Sequence, residues 1–208
     1  KPFVKENIER IDKISVRESS GLKILENLSI PNAIQVLDPV FLLGSKYWKK
    51  TFVTPIKEKF IFVYDCDSNP TIKNIVEYTA KKNNLKIFTV NKNISYSDKN
   101  FYLEGPKMFL SLIDSAEYVI SNSFHAVAFS LIFNKTFFVV DRNEKINTRM
   151  RDIITYVDLP NLYLAIDEYK TFDNIKINYN KVDEKINIKR TESKNFLRES
   201  LNIVHLEK

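Results

Sequence analysis

Three places in this 208-residue chain put donor side chains where a strand pattern gives way to a helix pattern. The first is Ser15-Val16-Arg17-Glu18-Ser19-Ser20, a short β-branched run that ends in arginine and turns into a helix through two hydroxyl residues. A guanidinium beside a helix N-terminus offers a forked donor and a favourable dipole to a phosphate or carboxylate. Arg17 also reads as half of a surface pair with Glu18, or as a clamp on a loop. The second is Ser121-Asn122-Ser123-Phe124-His125, where an apolar strand ends and the most apolar helix of the chain begins. Asn122 and Ser123 are good helix caps, which is the plainer reading of both. His125 falls in the first turn, where the positive helix end lowers its pKa and leaves it able to exchange protons near neutrality. Spacing alone leaves a catalytic and a structural reading of this histidine open. The third is Asn147-Thr148-Arg149-Met150-Arg151 at another helix start, an anion contact or a surface charge cluster.

Other candidates carry less chemistry. Asp38-Pro39 caps a turn or faces a ligand. Asp65-Cys66-Asp67 offers two carboxylates and no third ligand, which favours a solvated loop over a divalent-ion site. Cys66 has no histidine partner in sequence and is treated as inert, and His205 falls on the surface of a terminal helix. One cysteine and two histidines exclude a disulfide framework, a Cys-rich zinc site and a three-His metal centre. With three glycines, Gly21, Gly44 and Gly105, neither G-x-G-x-x-G nor a Walker loop can form. No metal and no cofactor is expected.

What must position these residues is an alternation of strands and helices. Candidate strands are Lys13–Arg17, Ile34–Leu37, Phe60–Tyr64, Leu85–Thr89, Phe101–Leu103, Tyr118–Ser121, Phe137–Val140 and Leu162–Ala165. Between them, Ile72, Ile75, Val76, Thr79 and Ala80 keep a helical period behind Asn69 as N-cap and Pro70 at the first helical position. Phe109, Leu112, Ile113 and Ala116 repeat that period, as do Ile146, Met150, Ile153, Ile154 and Val157. Phe124–Phe133 is apolar nearly all round and predicts a central, buried helix. Lys1–Arg10 predicts a helix, and residues 180–206 predict one or two charged helices with Phe196, Leu197, Ser200, Leu201 and Val204 as the buried edge. Strand–helix alternation predicts a parallel sheet with crossover helices. The economical organisation is one doubly wound, Rossmann-like α/β domain over residues 1–208, its α/β core at 11–165 and a helical segment at 166–208. In such sheets, ligands lie beyond the carboxyl ends of the strands, where the three places above fall.

The net charge is +6, yet its signs are interspersed and the longest basic runs are pairs such as Lys49-Lys50 and Lys81-Lys82, so no nucleic-acid partner is expected. The apolar stretch Phe124–Val140 is broken by Asn134-Lys135-Thr136 and is no membrane span. No secretory signal opens the chain, and its first residue is Lys, so the opening is expected to be a boundary within a longer protein. A soluble, cytoplasmic protein is the expectation.

One stretch carries a family pattern. Gly105-Pro106-Lys107-Met108-Phe109-Leu110-Ser111-Leu112-Ile113 is followed by Ala116-Glu117-Tyr118-Val119-Ile120-Ser121-Asn122-Ser123-Phe124-His125 and then by Ala128-Phe129-Ser130-Leu131-Ile132-Phe133. The order resembles the polysaccharide pyruvyl transferases, whose pattern there runs G-P-x-x-F-L-x-L-I, A-x-x-V-x-T-N-S-F-H-G and A-F-S-I-x-F. The Ser15–Glu18 turn, the Asp38-Pro39 turn and the Thr148-Arg149-Met150 helix start resemble the family in the same order, over most of residues 11–160. Ser121 stands where Thr is common, and Ala126 where Gly is common.

The resemblance implies the C-terminal half of a GT-B-like fold, with an N-terminal domain of the same full-length protein as its partner. It implies transfer of a pyruvyl group from phosphoenolpyruvate to two hydroxyls of a saccharide acceptor, in polysaccharide biosynthesis. Arg17 and Arg149 would then hold phosphate and carboxylate with help from Asn122 and Ser123, and His125 would exchange the proton. Two other classes stay open: a GT-B glycosyltransferase using a sugar nucleotide, and a non-catalytic carbohydrate- or partner-binding domain. The isolated chain is expected to fold yet to be inactive without its partner.

Overall fold

The computed structural model describes residues 2–91, 94–142 and 147–201. The chain divides into two compact units, Lys1–Leu42 with Asp183–Lys208, and Leu43–Val182.

In the first unit, helix α1 (Pro2–Ile8) precedes strand β1 (Ser15–Val16), helix α2 (Ser19–Asn27), strand β2 (Ile34–Gln35) and a 3-10 turn at Pro39–Leu42. The two strands pair in parallel, Ser15 with Ile34 and Val16 with Gln35. Helix α2 lies so close to β1 that a Cβ on Gly21 would stand 3.0 Å from the Val16 Cβ, and the valine would have to give way by a few tenths of an ångström. Leu25, Ile30, Leu37 and Phe41 are buried. The unit also takes in residues 183–200 of the last helix. There the Leu37 amide donates to Ser193 Oγ at 2.9 Å and Arg190 Nε donates to the Phe41 carbonyl at 2.5 Å.

That last helix corrects the expected buried edge. Ile186 and Ser193 are buried, whereas Leu197 and Leu201 are 41% and 64% exposed. The face is set by a serine that answers a backbone amide, which an apolar period cannot mark. Val204 and His205 lie outside the described residues.

The second unit begins with α3 (Ser45–Phe52), a helix with no counterpart in the sequence expectations. Its sheet follows from β3 (Phe60–Tyr64), α4 (Pro70–Asn83), β4 (Lys86–Thr89), β5 (Lys99–Asn100), α5 (Pro106–Ser115), β6 (Tyr118–Ser121), α6 (Phe124–Ile132), β7 (Thr136–Val140), α7 (Thr148–Tyr156), β8 (Tyr163–Leu164) and the start of α8 (Tyr179–Ser200). The six strands run in the order β5-β4-β3-β6-β7-β8, and every pairing is parallel. The buried faces are aromatic and β-branched throughout, with Phe60, Phe62, Phe88, Phe137 and Phe138 fully enclosed. Such continuous apolar runs are what a sheet covered on both faces requires.

Local signals explain several boundaries. Asn69 Oδ1 accepts from the Thr71 amide at 2.7 Å and Pro70 takes the first position of α4. Asn84 ends that helix in the left-handed region at φ 51°. The strand expected at Phe101–Leu103 instead pairs at Lys99–Asn100. The Phe101 ring lies 5.5 Å from Phe88, so its aromatic character serves side-chain packing beside an edge strand. Helix α7 starts at Thr148, and Ile146 lies outside the described residues. Among the described residues no helix is long and apolar enough to cross a membrane.

Candidate functional site

Strand order places a topological switch between β3 and β6. The chain adds β4 and β5 on one side of β3, then returns to lay β6, β7 and β8 on the other. Neighbouring connections leave in opposite directions there, which opens a crevice beyond the carboxyl ends of the two strands. The tips that form it are Tyr64-Asp65-Cys66 and Ser121-Asn122-Ser123, with Tyr64 and Ser121 in register.

Short polar side chains sew these tips together. Ser121 Oγ donates to the Tyr64 carbonyl at 2.5 Å and accepts from the Ser123 amide at 2.9 Å. Asn122, fully buried, accepts from the Cys66 amide at 2.8 Å and donates through Nδ2 to Asp65 Oδ1 at 3.0 Å. Asp65 also accepts from the Asp67 amide at 3.0 Å and the Asn69 amide at 2.6 Å. Burial pushes the Asp65 carboxyl above the usual carboxylate range, against the pull of these three donors. Asp67 pairs with Arg142 at 3.1 Å. Within the segment expected to be a solvated loop, Cys66 is exposed, but Asp65 is only 4% exposed and bonded inward. The reason lies in Asn69 and Asn122, whose positions in space turn a carboxylate inward. No group of three or more His, Cys, Asp or Glu side chains among the described residues is placed to hold a metal ion.

Above the joint stands the start of α6. Every residue of this helix is buried except His125, which faces outward from its first turn. The His125 ring meets Phe124 edge-on, 5.5 Å between centroids and 72° between planes. The guanidinium carbon of Arg149 lies 4.1 Å from the Phe124 ring centroid, a cation–π contact that holds a guanidinium at the same helix start. Asn147 braces the approach to α7, accepting from the Arg142 amide at 3.1 Å and donating to the Arg142 carbonyl at 3.2 Å. Asn122, Ser123, His125 and Arg149 thus meet around one helix start.

Arg17 belongs to the first unit. Its Nη1 donates to Asp38 Oδ2 at 2.6 Å, and Asp38 Oδ1 accepts from the Val40 amide at 3.2 Å. The partner of Arg17 is thus Asp38, brought in by the β1–β2 pairing, while Glu18 stands at the N-cap of α2.

Beside His125 the second unit has an open pocket of about 530 Å³, lined by Trp48, Tyr64, Phe109, Ser123, His125 and Phe129, among others. Trp48, Tyr64 and Arg142 have no place among the sequence candidates. The signal for Trp48 was present: Gly44-Ser45 opens a helix, and Trp48 and Phe52 stand one turn apart on it, rings 5.4 Å apart.

The fold is that of a Rossmann-like α/β domain whose strand order opens a crevice at the switch point. The chain belongs to the polysaccharide pyruvyl transferase family, whose family model matches residues 1–144. The matched region contains Arg17, Asn122, Ser123 and His125 and stops short of Arg149. No curated protein matches the chain.

Proposed function

We propose that the chain takes part in pyruvyl transfer from phosphoenolpyruvate to two hydroxyls of a saccharide, yielding a cyclic pyruvate ketal and inorganic phosphate. One sugar hydroxyl adds to the enol carbon as the methylene carbon takes a proton. The proton that hydroxyl loses balances the one taken up; the second hydroxyl then displaces phosphate from the same carbon, and its proton leaves with the phosphate. His125 is the proposed proton carrier, because it is an imidazole on the open side of α6 at the switch-point crevice. Ser123 and the first turn of α6 would receive the anionic donor, and Arg149 would add a forked cation. Asn122 would act through the tip it holds in place. Arg17, on the first unit, is proposed as a further anion contact. No cofactor is called for by these steps.

The observation that carries this reading is the exposed His125 beside the Arg149-capped Phe124 ring, within a family of pyruvyl transferases. The resemblance also supports an N-terminal domain as the second wall, and a cytoplasmic setting, where phosphoenolpyruvate is produced. The test is phosphate release from phosphoenolpyruvate with a panel of saccharides, run with the chain alone and with an N-terminal half joined to it. Saccharide-dependent release and a new ketal methyl resonance, both lost in His125→Ala, are expected of the joined protein. Release that does not depend on saccharide, or that survives His125→Ala, overturns the assignment.

A further inference from the structure

Resting on that reading, we propose that the pocket beside His125 is the acceptor subsite, taking one pyranose ring flat against its aromatic wall with Glu104 accepting the ring hydroxyls. The composition of the lining carries the argument. Five aromatic residues, Trp48, Tyr64, Tyr102, Phe109 and Phe129, share the pocket with Ser123, His125 and Glu104. Among the described lining residues there is no Lys or Arg, and the one carboxylate is that of Glu104. Away from the start of α6, a phosphate- and carboxylate-bearing donor would meet the Glu104 carboxylate and a largely apolar wall, which disfavours it there on Coulombic and desolvation grounds. A neutral sugar suits the same wall. The C–H faces of a pyranose lie on the electron-rich faces of aromatic rings, and its hydroxyls donate to a carboxylate.

Size agrees with chemistry. A pocket of about 530 Å³ lies within the range of drug-sized ligand sites and has room for a pyranose ring. The walls are also fixed in advance. Trp48 meets Phe129 edge-on at 5.1 Å and 87°, and Tyr64 meets Phe109 at 5.4 Å and 72°. Helix α3, which carries Trp48, is anchored by the Lys49–Asp114 ion pair at 2.7 Å, and the segment after it by the Thr54 amide on Ser111 Oγ at 2.9 Å. Arg149 is absent from the lining and sits over Phe124, so the cation and the aromatic wall occupy separate places around the α6 start. His125 lines the pocket and belongs to that helix start, which is where a group moving protons between donor and acceptor must stand.

Trp48 is the chain's single tryptophan, so its emission reports directly on this pocket. Methyl pyranosides of glucose, galactose and mannose are titrated against the 208-residue chain, with phosphoenolpyruvate in a parallel series. At least one pyranoside is expected to give a saturable change in Trp48 emission, phosphoenolpyruvate none. Glu104→Gln, a change on an exposed loop, is expected to weaken that response about tenfold. A chain silent to all three sugars overturns the proposal. So does a Trp48 response to phosphoenolpyruvate that a pyranoside competes away, which would make this the donor pocket. Sugar binding without phosphate release in the transfer assay would sink the pyruvyl reading and leave a saccharide site. Phosphate release with Trp48 silent would do the reverse.

Discussion

Asn122 Nδ2 donates to Asp65 Oδ1 at 3.0 Å, and with the Cys66 amide on Asn122 Oδ1 at 2.8 Å this ties the tip of β6 to the tip of β3. The bond lies beneath the turn that launches α6 and His125. Neither residue is exposed enough for water to substitute, so the joint has no cheap replacement.

Asn122→Ala is expected to lower stability by about 1–3 kcal/mol for the buried groups it leaves behind. Urea unfolding checks this, with a reduced midpoint at an unchanged slope. A midpoint equal to that of the native chain would show that the two tips hold without the bond.

Asp65 gives the same joint a pH dependence. Its folded-state carboxyl titrates above the usual carboxylate range because of burial, so the folded state binds that proton more tightly than the unfolded one. The resulting stability is fully present below the unfolded pKa and is lost as pH rises through the folded one. Asp65→Asn carries no such proton, and one of its ends would face the Asn69 amide donor-to-donor. The variant is therefore expected to be less stable than the native chain, by a margin that is widest below the unfolded carboxyl's pKa and narrows as pH rises through the folded one. Urea titrations of both proteins across that interval measure the margin, and one that widens with pH would contradict the assignment.

His125→Ala is expected to leave the melting temperature within the range of a surface change, since the side chain faces outward while its helix neighbours form the core. Turnover in the joined protein should fall by roughly 10²–10⁴, the usual range for a positioned acid or base. An unfolded His125→Ala chain would mean that the ring serves structure.

Arg17 has two separable readouts. Asp38 is 3% exposed at its side chain while Arg17 is 49% exposed, so Arg17→Ala should cost about 1.5 kcal/mol, the low end for a bond to a charged group. If Arg17 also holds the donor, calorimetry will show phosphoenolpyruvate affinity lost in Arg17→Ala and partly kept in Arg17→Lys. Lost stability with unchanged affinity would leave it as a loop clamp alone.

The parts of the fold that could be read in advance are those whose cause is local. Phe60–Tyr64 and Tyr118–Ser121 are strands in both sequence and structure because an unbroken β-branched and aromatic run has few other uses. Asn69 and Pro70 mark α4 for reasons confined to one helical turn. Long-range causes were illegible. Arg17 had Glu18 next to it in sequence and chose Asp38, a residue that only strand pairing brings near. Asp65 looked solvated until Asn122 and Asn69 closed over it. Ser193 owes its burial to an amide on Leu37, and nothing around it in sequence says so. The His125 turn was visible because strand end, cap and helix start are contiguous, whereas the pocket beside it draws Trp48 and Phe129 from distant segments.

The six-stranded sheet ends on both sides in stubs, Lys99–Asn100 at one margin and Tyr163–Leu164 at the other. An unpaired margin is a template on which another chain can lay down its own strand, and long apolar margins invite fibres. Here a second molecule would find a ladder two residues long, one of them with a lysine at its head. The apolar strands β3 and β6 lie between neighbours on both sides, and β7 is met by β8 at Val139 and Val140. A sheet rich in phenylalanine thereby keeps its apolar strands β3 and β6 away from lateral growth.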